Sequence, residues 1–196
     1  MCYSARVPVQ RRTNALLLSD LIGALELLLS QMVHEGAPIL FNLTGSGRVD
    51  EIFVTVASPW QESAVGKRTI ERPDSFVFSH RTQSEALSEG EKTITAGMVL
   101  EERAVIAILL DGYRITKPLG KHMRRADFTV LTSVVSEKLA QAVSETLSSA
   151  FHKKDLLFGG FPRAAYEACL TLFPHEEDFL ILEVRGEATD VLLIKH

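Results

Sequence analysis

The glycine-rich segment Thr44–Arg48 (TGSGR) is the first stretch of this sequence that could do chemistry, because glycine-rich loops often hold phosphate groups. A Walker-type phosphate loop needs Lys and then Ser or Thr after its last glycine, and a helix that begins there. Here the last glycine is followed by Arg-Val-Asp-Glu, whose acidic residues would repel an anion, and then by an alternating apolar run. We therefore predict a tight hairpin turn between strands at 38–43 and 51–57.

Histidines and cysteines offer little support for metal or thiol chemistry. The six histidines show neither H-x3-H nor H-E-x-x-H spacing, so the sequence predicts no metal site. Cys2 and Cys169 lie far apart in sequence and make no disulfide framework, which is typical of a reducing compartment, and we expect a cytoplasmic protein. Cys169 has apolar neighbours and no adjacent basic residue that would activate its thiol.

The sequence Ser79-His80-Arg81 is the strongest candidate for a binding site. It follows a predicted strand and a long polar segment, His80 can titrate near neutral pH, and Arg81 can hold an anion. The alternative is an ordinary junction between a strand and a helix. Aromatic residues near the polar segment could line an apolar pocket. The predicted ligand-binding set is Trp60, Arg72, Phe78, His80 and Arg81.

The apolar spacing predicts the elements that would position these residues. Helices are predicted at 14–36, 81–91, 123–152 and 162–173. Strands are predicted at 38–43, 51–57, 75–79, 93–100, 103–110, 178–184 and 190–194. Residues 58–74 are predicted to form a long polar loop. Hairpins outnumber crossovers, so we predict an α+β fold with an antiparallel sheet, long helices packed on one face, and a C-terminal helix and β-hairpin.

Chain organisation and composition narrow the classes of function. We predict a flexible N-terminal tail at 1–13, an α+β domain at 14–155 and an α-β-β extension at 156–196. The net charge of −4 shows no basic excess of the kind that nucleic-acid binders carry. Asp20 and Glu26 interrupt the leucine-rich N-terminal stretch, so the sequence predicts neither a signal peptide nor a membrane span.

Two apolar patterns resemble the closing part of GAF domains, in which a β-hairpin leads into a long helix. They are VLEERAVIAILLDGYRI and ADFTVLTSVVSEKLAQAVSETLSSA. The matching positions are Glu102, Val105, Ile106, Ala107, Asp127, Leu131, Leu139, Ala140 and Ala142. The resemblance covers roughly residues 14–150. It implies a GAF- or profilin-like layer with a six-stranded sheet, a small-molecule pocket at 58–97 and often a helical dimer. No catalytic, chromophore or cyclic-nucleotide motif of the family is present, so the resemblance favours sensing or scaffolding.

We therefore expect a non-enzymatic regulatory or sensor domain that binds a small molecule or a partner protein and forms a homodimer. The sequence assigns no cofactor. One alternative is a structural or assembly subunit that pairs through its C-terminal hairpin, since DFLILEVR and VLLIKH are strongly apolar and open strand edges invite pairing. A second alternative is an enzyme with a His80-centred site, helped by Arg81 or by a carboxylate of Glu62, Glu71 or Asp74.

Overall fold

The computed structural model of the 196-residue chain describes residues 2–5, 13–88, 94–153, 155–176, 178–185 and 188–195. The predicted α+β class is confirmed. The helices are α1 (Asn14–Gln31), α2 (Ala37–Thr44), α3 (His80–Ser88), α4 (Glu137–Phe151) and α5 (Phe161–Leu172). The strands are β1 (Ile52–Val56), β2 (Gln61–Val77), β3 (Met98–Leu110), β4 (Tyr113–Arg114), β5 (His122–Ser136), β6 (Leu156–Gly160), β7 (Phe179–Val184) and β8 (Thr189–Ile194).

The chain divides into two compact units. Unit 1 comprises Met1–Val54 and Glu137–Leu157, and unit 2 comprises Thr55–Ser136 and Phe158–His196. The sheets have the strand orders β2-β5-β3-β4, β1-β6 and β7-β8. Among the described residues, the largest sheet thus has four strands, where the GAF resemblance implies six. The domain boundaries expected after residues 13 and 155 stay a prediction.

The N-terminal helix does not end at Gly36. A π-helical turn, Met32–Gly36, carries it on into α2, whose first turn contains Pro38. Because the helix is continuous here, Pro38 has no N–H to donate to the carbonyl of His34, and that carbonyl lies inside the π-helical turn, where the helix departs from regular α geometry. The strand predicted at 38–43 is therefore wrong. Short apolar runs such as this one do not distinguish strand from helix by periodicity alone.

The glycine-rich segment consequently ends a helix instead of joining two strands. Gly45 adopts φ +76° as the C-cap of α2, and its amide donates to the carbonyl of Phe41 at 2.8 Å. The left-handed conformation at this position explains the glycine. The predicted hairpin is wrong, whereas the strand predicted at 51–57 is confirmed as β1.

In unit 1, α1 packs against α4. Leu29 is the buried residue of α1 within the described range, at 5% exposure. Leu139, Val143 and Leu147 form the buried stripe of α4, one residue per turn. This i, i+4 spacing is what one buried face of a helix requires.

In unit 2, the segment predicted as a polar loop at 58–74 is most of the 17-residue strand β2. It pairs antiparallel with β5 from Gln61 to Val77, with an irregularity between Glu71 and Phe76. β2 is an edge strand of its sheet, so its side chains remain largely exposed and polar. Pro73 lies within the irregularity, where no ladder hydrogen bond is lost. Edge position thus explains why the segment reads as a loop.

The long helix predicted at 123–152 is wrong in its first half. Residues 122–136 form β5, and only 137–151 are helical. β5 pairs with β2 on one side and β3 on the other, and it is buried at consecutive positions such as Val130 and Leu131. Because β5 is buried on both faces, its apolar residues do not alternate strictly, and Phe128, Leu131 and Val135 also satisfy helical spacing.

Residues 98–100 of the strand predicted at 93–100 join the strand predicted at 103–110 in one strand, β3, whereas residues 94–97 are not strand. Its pairing with β5 shifts register between Leu100 and Glu102, which makes Glu101 the extra residue of a β-bulge. Residue 93 lies outside the described residues. The acidic pair read as a turn is therefore a bulge inside a continuous strand.

The main core of unit 2 lies between α3 and the sheet. The rings of Phe78 and Phe128 are 5.8 Å apart. The buried cluster consists of Ile70, Phe78, Ala86, Leu110, Met123, Ala126, Phe128 and Val130. The predicted helix at 81–91 is confirmed as far as residue 88, and residues 89–91 lie outside the described range. The predicted C-terminal helix and hairpin are confirmed as α5, β7 and β8.

Replacing Phe78 with alanine should lower the free energy of unfolding by about 3–5 kcal/mol, because the ring is 1% exposed and its loss leaves a cavity. The matched control is Phe53→Ala, since Phe53 is 62% exposed. Urea denaturation followed by circular dichroism measures both changes. Equal destabilisation by the two substitutions would contradict the placement of Phe78 in the core.

Candidate functional site

The predicted ligand-binding residues lie at the two ends of β2, so the structure does not bring them into one pocket. Trp60 immediately precedes the strand, and its carbonyl accepts the amide of Ser136 at 2.9 Å. Phe78 immediately follows the strand. At roughly 3.3 Å per residue, a 17-residue strand separates its two ends by roughly 50 Å. Phe78 is in addition a core residue and presents no surface to a ligand.

Arg72, His80 and Arg81 lie toward the α3 end of the sheet. The Arg72 guanidinium is 4.6 Å from the ring centroid of Phe76 and 3.1 Å from a carboxylate oxygen of Glu85. His80 and Arg81 are exposed at the start of α3. Within the part of the chain described, no hydrogen bond or ion pair joins His80 to a carboxylate. The acid–base pair that a His80-centred enzyme needs is thus not formed.

The C-terminal hairpin is attached to its own unit through its inner face. The rings of Phe173 and Phe179 are 6.4 Å apart, which connects the end of α5 to β7. The Arg185 guanidinium stacks 4.7 Å from the ring centroid of Phe161 at the start of α5. These contacts hold the hairpin at both ends of α5.

Polar contacts complete this inner face. The Ser58 hydroxyl donates to the Asp190 carboxylate of β8 at 2.6 Å. Arg185 also donates to Glu183 of β7, with 2.6 Å between Nε and Oε1. A two-stranded hairpin alone is marginally stable in water. Its order here therefore depends on this inner face.

The opposite side, which we call the outer hairpin face, is apolar and exposed. Its large apolar residues are Leu180, Leu182, Val184, Val191 and Leu193, whose exposures are 62%, 58%, 77%, 62% and 74%. Thr189, opposite Val184, is its polar member. Leu180 pairs with Leu193, and Leu182 pairs with Val191 across the hairpin. The five side chains thus form two adjacent rows without a charged member. Contiguous apolar patches of this kind mark interaction surfaces.

A polar network with two buried members, Gln61 and Ser133, lies where the sheet meets the segment that leads into α5. The hydroxyls of Ser63 and Ser133 are 2.7 Å apart, and the Gln61 side chain donates to Ser63. Ser133 is completely buried, and a Cβ atom at Gly160 would lie 2.5 Å from its hydroxyl oxygen. Glycine is therefore required for the close approach of this segment to β5.

Glu102 also binds the segment that leads into α5, through a hydrogen bond and an ion pair. Its carboxylate accepts the Gly160 amide at 3.2 Å and forms an ion pair with Arg163 of α5. The Glu102 side chain is only 14% exposed, whereas the Arg163 side chain is 42% exposed. This charge-assisted contact links the β3 bulge to the first turn of α5.

The neighbouring residue, Glu101, lacks the polar partners that Glu102 has among the described residues. Both of its carboxylate oxygens are buried, and neither has a hydrogen-bond partner among the described residues. Burial, and secondarily the negative charge of Glu102, raises the pKa of Glu101 to about 7. Ionisation of Glu101 above neutral pH therefore opposes folding.

Unit 1 contains an open groove of about 520 Å³ between α1 and α4. Its lining residues are Glu26, Leu29, Ser30, Val33, His34, Thr146, Ser149 and Ala150. None of the five predicted ligand-binding residues lines this groove. Its polar side chains offer neither a grouped charge nor an enclosed apolar surface for a specific ligand.

Among the described residues, no three His, Cys, Asp or Glu side chains are grouped as metal ligands. One described helix, at 16–44, is long and apolar enough by length and composition alone to cross a membrane. No protein-family model and no curated protein matches this chain. The GAF resemblance accordingly stays a prediction.

Sequence reasoning found the hairpin strands but not which of their faces is free. Alternation gives no answer, because β7 carries apolar residues on both sides except at Glu183. Sequence reasoning also missed the contacts of Glu102 with Arg163 and of Ser133 with Gly160. Those partners are separated by 61 and 27 positions, and no local pattern indicates such pairing.

Gly160→Ala should lower the free energy of unfolding by about 1–3 kcal/mol, because the added methyl group overlaps the Ser133 side chain. Gly23→Ala is the matched control. Gly23 lies inside α1 with no heavy atom within 4 Å of the added Cβ position, so the same change should be neutral or stabilising there. Urea denaturation of both variants tests the expectation. A Gly160→Ala protein of unchanged stability would show that the close approach does not occur.

Glu101→Gln should raise the free energy of unfolding by about 1–2 kcal/mol at pH 8 and by much less at pH 5. The value at pH 8 is smaller than the full linkage value because water screens the partly buried carboxylate. In the unfolded chain Glu101 ionises near 4.5, whereas in the folded protein it ionises near 7. The contribution of neutral Glu101 to the free energy of unfolding is therefore fully present below about pH 4.5 and is lost as the pH rises to about 7. Glu62→Gln on the exposed part of β2 is the control. Parallel pH profiles for wild type and Glu101→Gln would contradict the burial of this carboxyl.

Proposed function

We propose that this protein is a non-enzymatic assembly protein that forms a homodimer through its outer hairpin face. The observation that carries this proposal is the exposed pair of apolar rows on β7 and β8. A hairpin that already has a packed inner face gains no fold stability from leucines and valines on its other side. Their burial against a second chain is the function that fits their chemistry.

The free energy of burying the outer hairpin face is large enough for a stable dimer rather than a transient one. Full burial of a leucine or valine side chain contributes roughly 1.5–3 kcal/mol. Five such residues on each of two chains can offset the cost of association, which is about 4–15 kcal/mol. Standing exposed in water, the same rows would favour aggregation.

The composition of the face favours a second copy over a different partner. Permanent homodimer interfaces are more apolar than transient ones, and their centres are depleted of charge. Between the Leu180–Leu193 pair and the Val184–Thr189 pair, the outer hairpin face has no charged side chain; the exposed Asp178 and Lys195 lie just beyond it. A twofold contact needs only one self-complementary patch per chain, and rows of leucine and valine meet that requirement.

The hypothesis of a sensor domain that binds a small molecule has weaker support. It would need Trp60 and His80 in one site, and they lie at opposite ends of β2. Partner binding needs no such convergence. It uses residues that one regular element places side by side.

Leu182→Glu should convert the dimer to a monomer, because dimerisation would bury an unpaired carboxylate among apolar side chains. We expect the dimer dissociation constant to rise by roughly 100-fold or more, measured by size-exclusion chromatography with light scattering over a concentration series. The matched control is Val65→Glu, since Val65 is an equally exposed strand residue, at 61%, on β2. A monomeric wild-type protein, or equal dissociation of both variants, would overturn the proposed function.

A further inference from the structure

One end of the main sheet carries an excess of positive charge. Five of the 21 lysine and arginine residues of the chain lie between residues 112 and 125, a stretch that contains no Asp or Glu. They are Arg114, Lys117, Lys121, Arg124 and Arg125, and all five are exposed. The net charge of −4 describes the whole chain and therefore conceals this local excess.

Backbone hydrogen bonds bring a sixth cation, Arg81, to the same end. β2 and β3 finish where β5 begins, because both strands pair antiparallel with β5. Just beyond β2, the Phe78 amide donates to the Lys121 carbonyl at 2.8 Å, and the Phe78 carbonyl accepts the Gly120 amide at 3.0 Å. Arg81 follows in the first turn of α3, and its side chain is exposed.

A tight turn fixes Tyr113 and Arg114 at this end of the sheet. Asp111 and Gly112 both have positive φ, 48° and 87°, as a two-residue hairpin turn requires. The Asp111 amide donates to the Arg125 carbonyl at 2.9 Å, which holds the turn against the start of β5. Tyr113 and Arg114 then form the short edge strand β4, where the Tyr113 side chain is 76% exposed.

The neighbouring carboxylates neutralise only part of this positive charge. Glu71 and Asp127 both pair with Arg125, at 3.7 and 2.9 Å. The Asp111 carboxylate accepts the backbone amides of residues 124 and 125, at 3.1 and 2.9 Å. Asp74 lies in the irregularity of β2 and makes no ion pair with any described residue. Arg125 is thus the cation of this end whose charge is offset.

Five cations of this end have no ion pair among the described residues. They are Arg81, Arg114, Lys117, Lys121 and Arg124, and together with Tyr113 we call them the basic end. Clustered cations attract anions, and a guanidinium group binds phosphate through two parallel hydrogen bonds. The exposed Tyr113 ring adds a flat face on which a nucleobase can stack. An acidic peptide would be attracted by the cations, but its carboxylates make no stacking contact with the ring.

We propose that the basic end binds single-stranded nucleic acid, with its arginines and lysines on the phosphates and Tyr113 stacked on a base. A single strand fits better than a duplex, because its bases are free to stack on an exposed aromatic ring. Contacts with phosphates make such binding strongly dependent on salt. This inference goes beyond the proposed dimerisation and uses no residue of the outer hairpin face.

Fluorescence anisotropy of the full chain with a labelled oligothymidylate of about 20 nucleotides tests the proposal, since this length exceeds a typical single-strand site. The wild-type protein should bind with a dissociation constant of roughly 1–100 µM, and its affinity should fall as salt is added. Arg114→Gln with Arg124→Gln should weaken binding roughly ten-fold or more and lower the slope of log affinity against log salt by roughly one, because two phosphate contacts are lost. A wild-type protein that does not bind the oligonucleotide overturns the inference.

The matched control is Arg48→Gln with Lys195→Gln, which removes two exposed cations that lie outside the basic end. This control should leave both the affinity and the salt slope unchanged. Equal weakening by the two double substitutions would show that overall charge, and not the basic end, attracts the oligonucleotide. Light scattering should show that the basic-end variant keeps the dimer. Failure of oligonucleotide binding alone overturns this inference, and failure of dimerisation alone overturns the proposed function.

Substitutions of Tyr113 add a readout that attraction by charge alone would not produce. Tyr113→Ala should weaken binding roughly five-fold or more, whereas Tyr113→Phe should keep it, because stacking needs the ring and not the hydroxyl. Polyglutamate, a polyanion without bases, should compete only weakly with the oligonucleotide. Equal competition by polyglutamate, with no effect of Tyr113→Ala, would show that the partner is an acidic protein segment, and the assignment to nucleic acid would be wrong.

Discussion

Strand β5 is covered on both faces, and the architecture of unit 2 depends on this constraint. On one face Phe128 and Val130 enter the core beneath α3. On the other face Ser133 and Val135 are buried, and Ser133 directly faces Gly160. A hydroxyl buried this completely must have a partner, and Ser63 on the neighbouring strand provides it. Double burial therefore forces the pairing of β2 with β5 to be in this register, since a shift of one residue would expose the core and separate the serines.

The same constraint determines how the C-terminal segment is held. Because Gly160 brings the chain against β5, its amide reaches Glu102, and Arg163 follows one turn later on the same carboxylate. The bulge that presents Glu102 also leaves Glu101 buried without a hydrogen-bond partner among the described residues. A carboxylate with favourable contacts, Glu102, therefore lies beside one whose burial is unfavourable, Glu101. Without the attachment of α5, the inner face of the hairpin would have no surface on which to pack, and the outer hairpin face would not be presented.

Local patterns predicted those elements whose burial is one-sided. The apolar runs at 178–184 and 190–194 predicted the hairpin, and proline in the first turn predicted α5. The sequence failed where tertiary position overrides pattern. β2 is polar because it is an edge strand, and β5 is buried at consecutive positions, Val130 and Leu131, because it is central. In the candidate site, the apolar character of the hairpin was visible from the residues alone. Which face remains free depends on contacts with Phe161 and Phe173, which no periodicity encodes.

The outer hairpin face is suited to a second regular surface because its own geometry is fixed. It is a nearly flat array in which Leu180 and Leu193 stand opposite each other across the hairpin. Such an array is matched by another regular surface, where each side chain meets a fixed neighbour. A second copy of the hairpin presents the same array, so the two copies can meet about a twofold axis. This geometry supports the proposed homodimer.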